Sequence, residues 1–494
     1  MKKIHFAALF FIATSTFLFG CANQTSPDQA TEANHCFESK DRDYSEVLTC
    51  YRKSHDKQPL IYSKKNTTKV DGIEKRTYEL TSQTWMPDVV TPKEWKHTVD
   101  IYVPDNALKT RALVIVNNGT NIGDGKDMPK APSDYSDETL RSVASKTKTI
   151  TISVSDVPNQ YLQYKNGGAP KREDASVAYT WKLFLDAPDQ HVFSSLHIPM
   201  MEAVVKTMDL AEKEVNINRF IVAGSSKRGW ATWLTALTDS RVDAIVPFVI
   251  DILNTKKVLL HEYASYGKGW PMAFKPYFDE GITKKLDTPA FDDLMELEDP
   301  LRYLDDAQAE RLAIPKYIVN ASGDDFFVPD NTQFYFDELP GAKILRVAPN
   351  SSHYGISKFA ETSLVPFVNR FQQSIPLPAL TMHLSSSGKT TNLRVTFSET
   401  PVEIKQWTAT NPTGRDFRFN CGIKYVEHKL KPDSNGEVLT TVKQPAKGWT
   451  ASFVEARFND GLVITSQVHI TPDDIYPTHP DPSSVPACKI IRGQ

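Results

Sequence analysis

The chain has 494 residues, of which 40% are apolar, 24% charged and 10% aromatic. That apolar share supports a sizeable core and excludes a wholly disordered chain, and 22 glycines against 32 prolines exclude collagen-like and Gly-rich low-complexity classes. The net charge of −3, without any Lys/Arg run, gives no electrostatic footprint for nucleic acid, so no nucleic-acid partner is expected.

The first predicted element is a leader. Met1-Lys2-Lys3 is followed by a mostly apolar run from Phe6 to Gly20, so residues 1–20 read as a secretory signal peptide, too short for a stable span of about 20 residues. The run closes on Leu18-Phe19-Gly20-Cys21, which resembles the lipobox of bacterial lipoproteins, with Cys21 as the lipidated first residue of the mature chain. Ala22 behind it, rather than Asp, resembles outer-membrane sorting. The expected location is therefore the cell envelope of a Gram-negative bacterium, at the outer membrane, with the N-terminal lipid as the membrane contact. Residues 21–34 carry no large apolar side chain and read as a flexible tether. Export leaves Cys36, Cys50, Cys421 and Cys488 in an oxidising compartment, and of their three possible pairings the local one, Cys36–Cys50 with Cys421–Cys488, is expected. No spacing is C-x-x-C, and neither a metal nor a cofactor is predicted.

Residues 35–375 alternate strand and helix patterns. Residues 96–104 alternate polar and apolar, as a half-buried strand does, and residues 112–116 (ALVIV) form a continuous apolar run, as expected of a strand covered on both faces. Residues 149–154, 220–223, 244–250, 317–319 and 344–347 are further strand candidates; residues 198–215, 230–237 and 364–371 have helical period. Such alternation predicts a mostly parallel α/β sheet. It breaks at 251–312, an aromatic-rich and charged stretch placed where a lid would sit. From Ile375-Pro376-Leu377-Pro378 onward the pattern is β only, with turn signals such as NPTG and DSNG, so residues 376–494 are expected to form a small β-sandwich.

The chemistry concentrates in the α/β part. At Gly224-Ser225-Ser226-Lys227 an apolar strand gives way to a helix, the setting of a nucleophile elbow, with Ser226 as the nucleophile. The second glycine of the usual G-x-S-x-G arrives one position late, as Gly229. The helix behind Ser226 aims free N–H groups at a developing oxyanion, which nominates the Lys227 amide. A second donor is expected from Gly119, in the loop after the ALVIV strand. The acid belongs after a late strand, where Asp324-Asp325 stands; the position of Gly323 and of Val328-Pro329 favours Asp325, with Asp324 and Asp251 as rivals. His353 follows the next strand and completes the order Ser, acid, His.

GSSKRGW, NASGDDFF, NSSHYG and the stretch from Trp407 through RDFR to Phe419 together resemble the PhoPQ-activated pathogenicity-related protein family over roughly residues 40–475. The resemblance implies an exported α/β-hydrolase-like fold, the triad Ser226, Asp325 and His353, and a β-rich C-terminal region. It also implies control by a two-component system and a link to virulence or cationic-peptide resistance. Motif and resemblance converge on a lipid-anchored serine hydrolase cleaving an ester or peptide substrate. The alternative is a non-catalytic binding protein that keeps the hydrolase scaffold.

Overall fold

The computed structural model describes residues 43–121, 130–480 and 483–493. The expected signal peptide, tether, Cys21 and Cys36 lie outside the described residues, and with them the Cys36–Cys50 pairing.

Nine strands make one sheet: β1 (Ile61–Val70), β2 (Ile73–Thr84), β3 (Glu94–Pro104), β4 (Leu108–Val116), β5 (Thr149–Val154), β6 (Phe220–Ser225), β7 (Val242–Phe248), β8 (Lys316–Ala321) and β9 (Lys343–Ala348). Their spatial order is β1-β2-β3-β5-β4-β6-β7-β8-β9. The first three pair antiparallel with their neighbours, and the six from β5 to β9 run parallel. This order, with the crossing of β4 and β5, is that of the α/β-hydrolase fold with one extra N-terminal edge strand. Both faces of the parallel half are covered, which is why β5 to β8 are buried along their whole length and carry runs such as ALVIV of β4 and FIVA of β6 rather than an alternating pattern. Val114, Ile152 and Val222 face one core together with α4 (His197–Val215) and α5 (Lys227–Thr238). Leu113, Ile115, Ile221 and Val246 face the other, against α2 (Asp137–Thr147) and α8 (Ala360–Gln372). The other helices of ten residues or more among the described residues are α1 (Val47–Asp56), α3 (Glu173–Asp186), α6 (Thr255–Ser265) and α7 (Pro289–Glu298). Among the described residues no helix is long and apolar enough to cross a membrane.

Parallel register is what assembles a site here. Ser225 pairs with Phe248, and Ala321 with Ala348, so the loops leaving β6, β8 and β9 emerge at one end of the sheet. This is the carboxyl edge, where open α/β sheets hold their ligands. The 251–312 insertion supplies α6 and α7 over that edge. Its short strand Gly269–Pro271 pairs with the chain's last strand, Ile490–Arg492.

The C-terminal region forms two antiparallel sheets, of three and five strands. A small core of Leu393, Val395, Ile404, Val438, Val442 and Val454 lies between them. The larger sheet also docks on the hydrolase edge: Tyr317 of β8 donates to the Val463 carbonyl at 2.5 Å. Cys421 and Cys488 are disulfide-bonded, with Cα atoms 5.6 Å apart, as their spacing suggested.

Candidate active site

Ser226 sits at the turn between β6 and α5 with φ +57° and ψ −129°, a backbone region that non-glycine residues rarely occupy. The turn is held because the Ser226 N–H donates to the Phe248 carbonyl at 2.8 Å and because glycines let β6 and α5 close up. A Cβ on Gly224 would stand 2.5 Å from the Arg228 carbonyl oxygen. A Cβ on Gly229 would stand 2.9 Å from the Gly224 carbonyl oxygen, so the late glycine serves helix–strand packing. The second hydroxyl of the motif is accounted for: Ser225 Oγ lies 2.9 Å from the buried Tyr135 hydroxyl. Ser226 Oγ makes no such bond among the described residues.

His353 lies in the loop after β9, 4% exposed, with Nδ1 2.9 Å from both carboxylate oxygens of Asp324. An ionised carboxylate only accepts, so Nδ1 carries the hydrogen and Nε2 is left as the basic nitrogen. Burial alone would lower the imidazole pKa, but Asp324 beside it raises it above the ordinary value. The expectation for the acid is therefore corrected: Asp324, not Asp325, meets the ring. Asp324 Oδ1 also accepts from the Phe326 N–H at 2.8 Å, a turn that points this carboxylate inward. Asp325 points the other way, accepting from Asn420 Nδ2 at 3.0 and 3.1 Å and, at 3.4 Å, from the His353 backbone N–H. Burial and the neighbouring Asp324 charge push its pKa up. Asp251, the other rival, is buried against the Tyr335 hydroxyl, which donates to it at 2.5 Å.

Lys227 opens α5, so its N–H has no intrahelical acceptor and stands beside Ser226. Its side chain is buried. Lys227 Nζ is 2.8 Å from Glu173 and 3.3 Å from Asp174, while the Arg228 guanidinium meets Glu173 at 2.7 Å and Asp134 at 3.3 Å. Burial would raise the Glu173 pKa, but these two cations hold it well below the usual carboxylate range. Gly119 departs from expectation. It is buried against the 156–160 segment, where its φ of +131° and the 2.5 Å separation of a would-be Cβ from Asp156 explain the glycine. Asn118, not Gly119, reaches the site.

Two cavities meet at Ser226, Lys227 and Asp174. One, of about 340 Å³, is polar and includes Ser226, His353, Asn118, Asp134 and Tyr354 in its lining. The other, of about 40 Å³, is mainly apolar and includes Trp230, Trp270, Phe274 and Phe326. Much of its wall comes from the 251–312 insertion.

Sequence reasoning missed the support of the acid loop. Arg415, 1% exposed, pairs with buried Asp330 at 2.6 Å. Burial would raise the Asp330 carboxyl, yet Arg415 and His261 hold it far below the usual range. The Phe419 N–H donates to the Gly323 carbonyl at 3.0 Å. The available signal was the RDFR motif itself, two arginines and an aspartate amid aromatics in an otherwise β-patterned stretch.

Fold and site together define a protein of the α/β-hydrolase class. The chain belongs to the PhoPQ-activated pathogenicity-related protein family, whose sequence model matches residues 48–418. It is 32% identical to the Autocrine proliferation repressor protein A of Dictyostelium discoideum over 445 residues, covering 83% of this chain and 87% of that one. Among solved structures it is similar to an acetyl xylan esterase from Paenibacillus sp. R4, at 15% identity and a TM-score of 0.45, over 70% of this chain and 99% of that one. Acetyl xylan esterase 1 from Thermoanaerobacterium sp. JW/SL YS485 matches at 14% identity and a TM-score of 0.41, over 65% of this chain and 93% of that one.

Proposed function

We propose that this protein is a serine hydrolase that cleaves an ester or amide bond through Ser226, His353 and Asp324. The observation that carries the reading is the Asp324–His353 pair, 2.9 Å apart, lining one cavity with a serine on a strained strand-to-helix turn. In this reading Ser226 Oγ attacks the carbonyl carbon while its proton passes to His353 Nε2, and Asp324 holds the imidazolium that forms. The Lys227 N–H faces the oxygen that becomes negative. Collapse of the adduct expels the alcohol or amine, which takes the proton from His353. Water, deprotonated by the same nitrogen, then releases the acyl group and restores Ser226.

The test is labelling of the full chain with a fluorophosphonate. Wild type and Ser225→Ala are expected to label, and Ser226→Ala is not. Folded wild-type protein that stays unlabelled would refute the reading. It would favour a non-catalytic binding role, which draws support from the Dictyostelium relative being named for repressing proliferation and not for a reaction. The proposal extends to location, a lipid anchor on Cys21 at the envelope, in the outer membrane, and to a link with virulence or cationic-peptide resistance. These rest on the leader sequence and the family's description. Cys21→Ala is expected to move the protein from the membrane to the soluble fraction.

A further inference from the structure

The two cavities at Ser226 differ in size and chemistry, and a substrate bound across the serine must divide between them. We propose that the apolar cavity is the acyl-binding pocket and that it takes a short acyl group, roughly two to four carbons counting the carbonyl, so that the substrate class is short-chain acyl esters or amides and not lipids. The inference rests on the serine hydrolase reading above.

Size is the first argument. A dry cavity of about 150 Å³ is what holds a benzene ring; this one measures about 40 Å³. Its wall on the insertion side is buried. Trp270, Ile282 and Leu286 of the insertion are 1%, 2% and 5% exposed, and the Trp270 segment is fixed by strand pairing with residues 490–492.

The second argument is the make-up of the lining. Trp181, Trp230, Trp270 and Phe274 line the cavity as packed rings: Trp181 meets Trp230 edge-on with centroids 5.6 Å apart, and Trp270 stacks on Phe274 at 5.5 Å. Each ring is wedged against another, so lengthening the cavity for an alkyl chain would break interior packing. The larger polar cavity is left for the leaving group, beside the ion pairs of Lys227 and Arg228.

The experiment compares 4-nitrophenyl acetate, butyrate and octanoate on the full chain, with fluorophosphonate labelling of Ser226 measured in parallel. Acetate or butyrate is expected to exceed octanoate at least tenfold in kcat/KM. Leu286→Ala, which removes part of that wall, is expected to raise the octanoate-to-acetate ratio at least fivefold; Ile282→Ala is the second variant should Leu286→Ala fold poorly. Octanoate turned over as well as acetate by wild type overturns the inference while leaving the hydrolase reading intact. Absence of turnover on all three also overturns it, and labelling then decides whether the hydrolase reading falls as well.

Discussion

The two adjacent aspartates make opposite predictions under one small perturbation. Asp324→Asn keeps the volume and the turn to Phe326, but it can present an N–H₂ group to His353 Nδ1 where the carboxylate presented only acceptors 2.9 Å away. Nδ1 then becomes the acceptor and Nε2 carries the hydrogen, so the nitrogen facing the cavity can no longer take the serine proton. Loss of the correct tautomer costs about 10⁴-fold in kcat in triads of this kind, or about 5.5 kcal/mol of barrier. Asp324 is 3% exposed, so bulk water cannot stand in for it, and a loss of about 10³-fold or more is expected. Asp325→Asn keeps an oxygen for Asn420 and leaves the His353 ring untouched, and a change within about threefold is expected. The assay is kcat and KM for both variants on the best ester, with thermal melting to show that each is folded. Equal losses in the two variants, or a larger loss in Asp325→Asn, would refute the assignment.

Two further outcomes follow from the same geometry. Because Asp324 lifts the His353 pKa above its ordinary value, kcat/KM is expected to fall as pH drops through that raised pKa, since the protonated ring cannot act as base; in Asp324→Asn whatever activity survives loses the lift, and its acid limb moves to lower pH. Arg415→Ala removes one partner of a buried pair and leaves Asp330 with His261 and Gln333 alone, for a loss of about 3 kcal/mol in the denaturant midpoint analysis, where a surface arginine of the same chain would cost less than about 1 kcal/mol.

The parallel half of the sheet was legible because both of its faces are buried. Continuous runs such as ALVIV and FIVA have no other comfortable state in a chain of this size, and residues 149–154 coincide with β5. The antiparallel hairpin of β1 and β2 was not legible. β1 is an exposed edge strand of Lys, Asn and Thr, so no apolar period marks it, and its partner is set by a turn at Asp71-Gly72. That Ser226 and His353 would come to one cavity was legible from order along the chain, since the hydrolase topology makes sequence order a spatial order. Which of two neighbouring aspartates turns inward was not, because local hydrogen bonds from the Phe326 and Phe327 N–H groups hold the Asp324 carboxylate. Gly119 illustrates the opposite error. A glycine in the right loop was read as an oxyanion donor, whereas close approach of the 156–160 segment is what requires it. The motif SKRGW carries its residues for the same kind of reason: the cations are consumed by Glu173, Asp174 and Asp134.

The acid loop joins these threads. Between Ala321 and Asp330 it holds the acid of the proposed triad, the aromatic wall of the small cavity in Phe326 and Phe327, and three anchors to one short stretch of the C-terminal region. Gly323 admits the Phe419 backbone, since a Cβ there would lie 2.5 Å from its nitrogen; Asn420 fixes Asp325; Arg415 neutralises Asp330. That stretch is itself stiffened by the Asp416–Arg418 pair and ends at the Cys421–Cys488 disulfide. Because Asp324 must meet His353 within hydrogen-bond distance for the ring to keep its tautomer, the anchors that fix the loop fix the geometry on which the proposed chemistry depends. In the proposed hydrolase the C-terminal sheets are therefore part of the framework that holds the acid, and the division of this chain into a hydrolase and an appended β unit describes its topology but not the contacts around Asp324 and His353.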